Sequence, residues 1–333
     1  MSSSVSGRIC RICGNAAGNQ AHYPREMMFG WQETFEYLEC GYCGCLQIAE
    51  VPPDLAKYYP NAGYYSYQPP RQKIYPGWVL RLRHRRTRHY LGERNWLGGV
   101  LGAVSKKPGH FQWFRRSRLN LDSRIADIGC GTGKLLLTLQ RDGFRALLGA
   151  DPFVAADIDY GNGVRVLKRG IEALEGPFDF LMLHHSFEHM PDPKRALDAL
   201  RQRIAPEGTL LIRIPVCDSY ARRKYGVFWR AWDPPRHLYL YTVKGFHLLA
   251  AAAGFHIFDV TYDSTAEQFA LGELGLRGVP YTELERFRPG GGPEAFSEAE
   301  WRDFEQRAQE LNRKRDGDTA CFFLRPVPSR KDG

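Results

Sequence analysis

One short stretch limits the folds open to this chain more than any other: Asp127-Ile128-Gly129-Cys130-Gly131-Thr132-Gly133, set between an apolar strand pattern and a leucine-rich helix pattern. Closely spaced glycines permit a tight turn and let a ligand approach bare backbone. The helix that follows offers N–H groups with no intrahelical partner. Asp127, at the strand end, can accept a bond from a cationic amine. Asp151 ends the next strand, where an acid can hold both hydroxyls of a ribose. A phosphate-binding P-loop would need glycine at 128 and Ser or Thr at 135; Ile128 and Leu135 stand there, which excludes it. A dinucleotide loop favours G-x-G-x-x-G, whereas the spacing here is G-x-G-x-G after an acid.

Strand and helix patterns alternate around this loop. Strands are expected at 124–128, 145–149, 164–167, 178–183, 209–214, 255–260 and 320–324. Helices are expected at 134–141, 194–204 and 243–253, with Gly143 and Gly254 as C-terminal stops. Such alternation predicts an α/β fold with a doubly wound, Rossmann-like sheet covered by helices on both faces. Residues 262–318 read as an insertion before the last strand. Within it, Ser297 and Glu300 form a capping box ahead of Trp301, Phe304, Ala308 and Leu311 at helical spacing.

The cysteines are unevenly placed. Of the 8, five (Cys10, Cys13, Cys40, Cys43 and Cys45) lie in the first 45 residues. Cys10-Arg11-Ile12-Cys13-Gly14 and Cys40-Gly41-Tyr42-Cys43-Gly44 are two C-x2-C-G knuckles. Four thiolates at this spacing suit tetrahedral Zn2+, and a site filled by protein ligands is structural rather than catalytic. Cys45 is left over as a spare thiol. The expected organisation is a zinc-ribbon module at 1–51, an aromatic and basic connector at 52–118, the main domain at 119–325 and a tail at 326–333.

The glycine loop, preceded by its acid, resembles motif I of the class I S-adenosylmethionine-dependent methyltransferases. That resemblance covers residues 120–325 and implies their seven-stranded sheet, with S-adenosylmethionine as cofactor. It places Asp127, Gly129, Gly131, Gly133, Asp151 and His184 around the cofactor. The stretch His184-His185-Ser186-Phe187-Glu188-His189-Met190-Pro191 looks like the family's fourth strand and its Glu-His pair. Glu188 and His189 are expected to open and orient the helix, and His185 to face either the substrate or its own loop. No Asn/Asp-Pro-Pro-aromatic motif follows this strand, which argues against methylation of an exocyclic base amine. The knuckle pair, Tyr58-Tyr59-Pro60 and the segment Trp232-Asp233-Pro234-Pro235-Arg236-His237 are similar to bacterial sugar and polysaccharide-cluster methyltransferases. The sugar C-methyltransferases carry a Glu-His pair near this last position, with the His as general base. Here the pair is Arg236-His237, so O-methylation is expected at least as much as C-methylation. His237 is the candidate base, Arg236 the candidate anion-binding fork, and Tyr64, Tyr65 and Tyr67 a candidate cover over the site.

A net charge of +9 favours anionic partners. The expected partner is a small or glycan acceptor that is itself anionic. The run Arg81-Leu82-Arg83-His84-Arg85-Arg86-Thr87-Arg88 adds an anionic membrane surface as a candidate; a solvated helix face is the plainer reading. RNA is a third partner for this run, opposed by Glu26, Glu33, Glu36, Glu39 and Glu50 in the zinc module. A zinc-ribbon scaffold without catalysis is the remaining alternative, and it predicts no cofactor binding. No 18-residue apolar stretch occurs and the first residues carry no apolar core, so a cytoplasmic setting with reduced cysteines is expected.

Overall fold

The computed structural model describes residues 8–60, 75–105, 107–114 and 116–328. Tyr64, Tyr65 and Tyr67, read above as a cover, lie outside the described residues. Twelve strands are named in chain order: β1 (Gln20–His22), β2 (Tyr37–Glu39), β3 (Leu46–Ile48), β4 (Arg124–Ile128), β5 (Ala146–Ala150), β6 (Ile158–Asp159), β7 (Val164–Leu167), β8 (Phe178–His184), β9 (Ile204–Pro215), β10 (Tyr239–Leu240), β11 (Phe255–Tyr262) and β12 (Thr319–Pro326). The large sheet has eight strands in the order β11-β12-β9-β8-β4-β5-β7-β6.

β4, β5, β7, β8 and β9 run parallel. Their residues are apolar on both faces because helices cover both. Alternation along β8 shows the two layers: Phe180 and Met182 enter one core with Leu136, Leu139 and Phe144. Leu181 and Leu183 enter the other, with Leu197, Leu200, Phe246 and Leu249. The glycine-loop helix, Lys134–Asp142, starts at Gly133 and ends at Gly143, both in the left-handed region.

The sheet departs from the parallel expectation at both edges. β6 pairs antiparallel with β7, and β12 runs antiparallel between β9 and β11. β11 ends at the carboxyl edge of the sheet and residues 263–318 stay there. The chain therefore has to run back through β12. That connection holds the helices Glu267–Leu276 and Glu298–Lys314, the latter with the capping box at Ser297 and Glu300.

A second, antiparallel sheet has the order β1-β2-β3-β10. The knuckle cysteines lie in the turns before β1 and between β2 and β3, but β10 comes from the region after β9. Tyr239 pairs with Gln47 and Leu240 with Leu46. Tyr241 then bridges to Val216, just beyond β9. The N-terminal module is thus finished by a strand of the main domain, and one apolar core runs through both. The basic helix Gly77–Tyr90 packs on the opposite layer, where Arg83 and His110 both bond the buried Asp142, at 2.6 and 2.9 Å. Among the described residues, no helix is long and apolar enough to cross a membrane.

Candidate active site

The carboxyl ends of β4, β5 and β8 face one crevice, on either side of the strand where the chain order reverses, the usual ligand position in such sheets. Gly129, Gly131 and Gly133 all have positive φ (72°, 54° and 74°). At Gly129 a Cβ would stand 2.4 Å from that of Ser186, and at Gly133 2.8 Å from a Val166 methyl. Backbone conformation and packing both require glycine at these two positions. Asp151 locks the loop: one carboxylate oxygen accepts from the Gly131 N–H at 2.8 Å, the other from the Phe153 N–H at 2.9 Å. Asp127 is buried below them. Burial, then the nearby Asp151 charge, pushes its pKa up to about 8. His184, at the end of β8, packs on Trp113 with ring centroids 4.4 Å apart. Both of its buried ring nitrogens lack a hydrogen-bond partner, and burial pushes its pKa down to about 3.

Beyond His184 the chain turns sharply. His185 adopts φ 50°, in the left-handed region, and Ser186 Oγ donates to the Ile128 carbonyl at 2.8 Å. The turn drives Glu188 inward beside the glycine loop. Its carboxylate is wholly buried, and neither oxygen has a hydrogen-bond partner. Burial pushes its pKa up to about 8. Three histidines gather around it. The Arg213 guanidinium, itself held by Asp263 at 2.8 Å, donates to His185 Nε2. A neutral His185 then carries its proton on Nδ1, 3.4 Å from a Glu188 oxygen. His237 donates from Nδ1 to the Ala231 carbonyl at 2.7 Å. Its bare Nε2 lies 3.9 Å from Glu188 and 3.7 Å from Asp233. Burial keeps this ring neutral, with a pKa pushed down to about 3. His189 bonds the Arg236 carbonyl through Nδ1 at 2.8 Å and meets the His237 ring edge-on at 4.8 Å.

Arg236 does not have the role expected of it. Its guanidinium is fully buried and donates to Asp233, to Glu26 at 2.6 Å and to the Tyr58 carbonyl at 3.1 Å. With its fork already committed to two carboxylates, it joins the N-terminal module to the main domain and has no face to offer an acceptor's phosphate or carboxylate. Burial opposes the Asp233 charge, but Arg236 overrides it and holds that pKa down to about 2.

The four knuckle cysteines converge as expected. Cys10 and Cys43 have sulfurs 3.7 Å apart, Cys13 and Cys40 3.5 Å, and all four sulfurs lie within 4.8 Å of one another. Tetrahedral zinc with bonds of about 2.3 Å sets its sulfurs roughly 3.8 Å apart, so the set fits. Backbone N–H groups of Ile12, Tyr42 and Cys43 point at sulfur at 3.4 Å. Cys45 lies beside Cys43 but outside the four-sulfur group, packed against Thr242 and Gly245 at the start of the helix Val243–Ala252.

The main omission in the sequence reading is Glu188 as an inward-facing carboxylate, together with its support from Arg213 and Asp263. One signal was available: Arg213 interrupts the apolar run Leu210-Leu211-Ile212 and Ile214, and a charge inside a buried strand requires a partner.

Comparison with known proteins agrees with this geometry. Residues 99–260 match the family model described as a methyltransferase domain. The chain is 29% identical over 107 residues to a trans-aconitate 2-methyltransferase of Deinococcus radiodurans, a stretch covering 31% of this chain and 42% of that protein. It is 33% identical over 112 residues to a tRNA U34 carboxymethyltransferase of Sulfurimonas denitrificans, covering 29% and 36%. The matched stretches therefore span less than half of either relative. An S-adenosylmethionine-dependent methyltransferase structure from Mesorhizobium loti aligns with a TM-score of 0.38 at 16% identity, covering 66% of this chain and 98% of that one. Residues 99–260 are thus similar to a methyltransferase domain.

Proposed function

We propose that this methyltransferase-domain chain transfers the methyl group of S-adenosylmethionine to a small anionic or glycan acceptor, with a nucleotide-linked sugar or a polysaccharide as the acceptor class. The observation that carries this reading is the buried, unpartnered Glu188 carboxylate beside the glycine loop. An unpaired buried charge costs several kcal/mol or shifts its pKa, so it marks a place where stability has been given up for chemistry. The cofactor supplies an electrophilic methyl on a sulfonium. Asp127, Gly129, Gly131, Gly133, Asp151 and His184 would hold it. Transfer is an in-line displacement, so the protein's tasks are to position the acceptor and to receive its proton. His237 Nε2 is a bare nitrogen turned toward Glu188, and an imidazolium formed there would be flanked by the Glu188 and Asp233 carboxylates. His185 orients Glu188 from the other side. The acid missing beside His237 in sequence thus has a counterpart in space, which keeps C-methylation alongside O-methylation. The four cysteines are read as a structural zinc site that holds β1–β3 against β10.

Calorimetry with S-adenosylmethionine tests the reading. Wild type should bind saturably, and Asp151→Ala should weaken binding at least about 30-fold, through loss of the ribose acceptor and of the anchor for Gly131. Absence of binding to the folded wild-type chain sinks the enzyme reading. Saturable binding leads on to a screen of nucleotide sugars as acceptors.

The helix pair Gly77–Tyr90 and Trp96–Val104 favours an anionic membrane surface as a further partner. Trp96, Val100 and Val104 form an exposed apolar stripe (81%, 54% and 78% exposed), with Trp78 also exposed at 65%. Arg81, Arg85 and Arg88 are exposed on the neighbouring helix. Arg83 and Arg86 are bound to Asp142 and Ser105 and do not count toward this face. Apolar residues with tryptophan beside arginines suit an interfacial site. Co-sedimentation with anionic liposomes should fall about tenfold in Trp96→Ser with Arg85→Glu. Unchanged co-sedimentation removes this partner.

A further inference from the structure

We propose that Glu188, His189 and His237 form a binding site for a divalent transition-metal cation, separate from the four cysteines. One carboxylate oxygen and one nitrogen from each histidine lie within 4.8 Å of one another. Three features make this a built site. Both Glu188 oxygens are buried and without a hydrogen-bond partner, so both are available to a cation that displaces the carboxyl proton. Each histidine has its Nδ1 committed to a main-chain carbonyl, His237 to Ala231 at 2.7 Å and His189 to Arg236 at 2.8 Å. At His237 that bond fixes the tautomer and leaves Nε2 unprotonated, the arrangement that backs metal-ligating histidines. Finally, His185 Nδ1 lies 3.4 Å from Glu188 and Arg213 backs His185 in turn, giving the carboxylate the outer support that ligating carboxylates carry.

Two imidazoles and one carboxylate select zinc, manganese, cobalt or iron(II) over magnesium and calcium, which prefer all-oxygen sites. Three protein ligands leave at least one coordination position open. The crevice beside the glycine loop makes that position available to a hydroxyl or carboxylate oxygen of an acceptor. A cation and a proton exclude one another at His237 Nε2; with the cation in place, it is the metal that lowers the proton affinity of a bound acceptor oxygen. Metal binding itself does not depend on which acceptor is methylated, or on whether methyl transfer occurs.

The test uses the full chain with its cysteines loaded with zinc, titrated with Co2+ and counted by elemental analysis after gel filtration. The expected result is two metals per chain. The second should be cobalt with weak visible ligand-field bands and no thiolate charge-transfer band. Glu188→Gln with His237→Gln should return the count to one while the cysteine-bound zinc stays. One metal per wild-type chain overturns the proposal, and so does a second equivalent that survives both substitutions. If the double variant does not fold, the wild-type cobalt spectrum decides: a second cobalt showing only thiolate bands, or none bound, overturns it.

Discussion

Two clusters of buried ionisable groups share one segment, residues 233–237, and treat charge in opposite ways. In the first, Arg236 is enclosed by Asp233, Glu26 and the Tyr58 carbonyl, and each charge has a partner. In the second, which His237 joins, Glu188 is just as deeply buried and has no hydrogen-bond partner, with His185, His189 and His237 around it. The first cluster resembles architecture: it joins the cysteine module to the methyltransferase domain across 210 residues of sequence. The second leaves the hydrogen-bonding capacity of its carboxyl unused within the chain. Burial alone therefore does not separate structural charges from functional ones. The separating feature is whether the hydrogen-bonding capacity is used within the chain.

Breaking the paired cluster should have the largest effect. Arg236→Ala leaves Asp233 and Glu26 buried with no cation, a loss of about 3–5 kcal/mol. Denaturant unfolding monitored by fluorescence of the buried Trp229 and Trp232 would measure it. A variant within about 1 kcal/mol of wild type would mean that the pair is not the fastener described here. The unpaired cluster should respond in the reverse manner. Glu188→Gln replaces a buried carboxyl, whose pKa is pushed up and whose oxygens have no hydrogen-bond partner, with a neutral amide, so stability should stay within about 1 kcal/mol or rise. Methyl transfer, once an acceptor is in hand, should fall by about 100-fold or more in kcat with little change in cofactor affinity. An unchanged kcat would return Glu188 to a purely structural role.

The sequence made one side of this comparison legible and hid the other. Asp127 through Gly133 signalled the loop because glycine spacing and a strand–helix junction are local features. Seven expected strands fall within one or two residues of β4, β5, β7, β8, β11 and β12 and inside β9. β9 starts earlier than expected because Pro206-Glu207-Gly208 lies within the strand, where its pairing with β8 shifts register. The four cysteines could be grouped because thiolate spacing is itself a geometric statement. Arg236 and Glu188 could not be told apart, since each is a charged residue next to a histidine. Their roles depend on Glu26 and on Arg213, which are distant in sequence and reach the site only through β10 and β9. The edge strand β10 was invisible for the same reason: two residues, Tyr239 and Leu240, become a strand only because β3 lies beside them.

Asp127 gives a finer and smaller test of whether a buried acid with a raised pKa marks a ligand. Its folded pKa of about 8 lies above the ordinary aspartate value of 3.8, so folding favours the neutral carboxyl. For the free chain, this acid lowers stability as pH rises past the unfolded value, and the loss is complete above the folded one. A cationic cofactor group beside Asp127 reverses the preference, because it favours the carboxylate. Below about pH 8, binding must then release a proton, and affinity should rise with pH by at most tenfold per unit before levelling off. Calorimetry of S-adenosylmethionine binding between about pH 6 and 9, in two buffers of different ionisation enthalpy, would detect that proton. Asp127→Asn should flatten the profile and abolish the buffer dependence. If the variant keeps the wild-type slope, the released proton comes from another group, and an acid with a raised pKa in this crevice is not by itself the sign of a ligand.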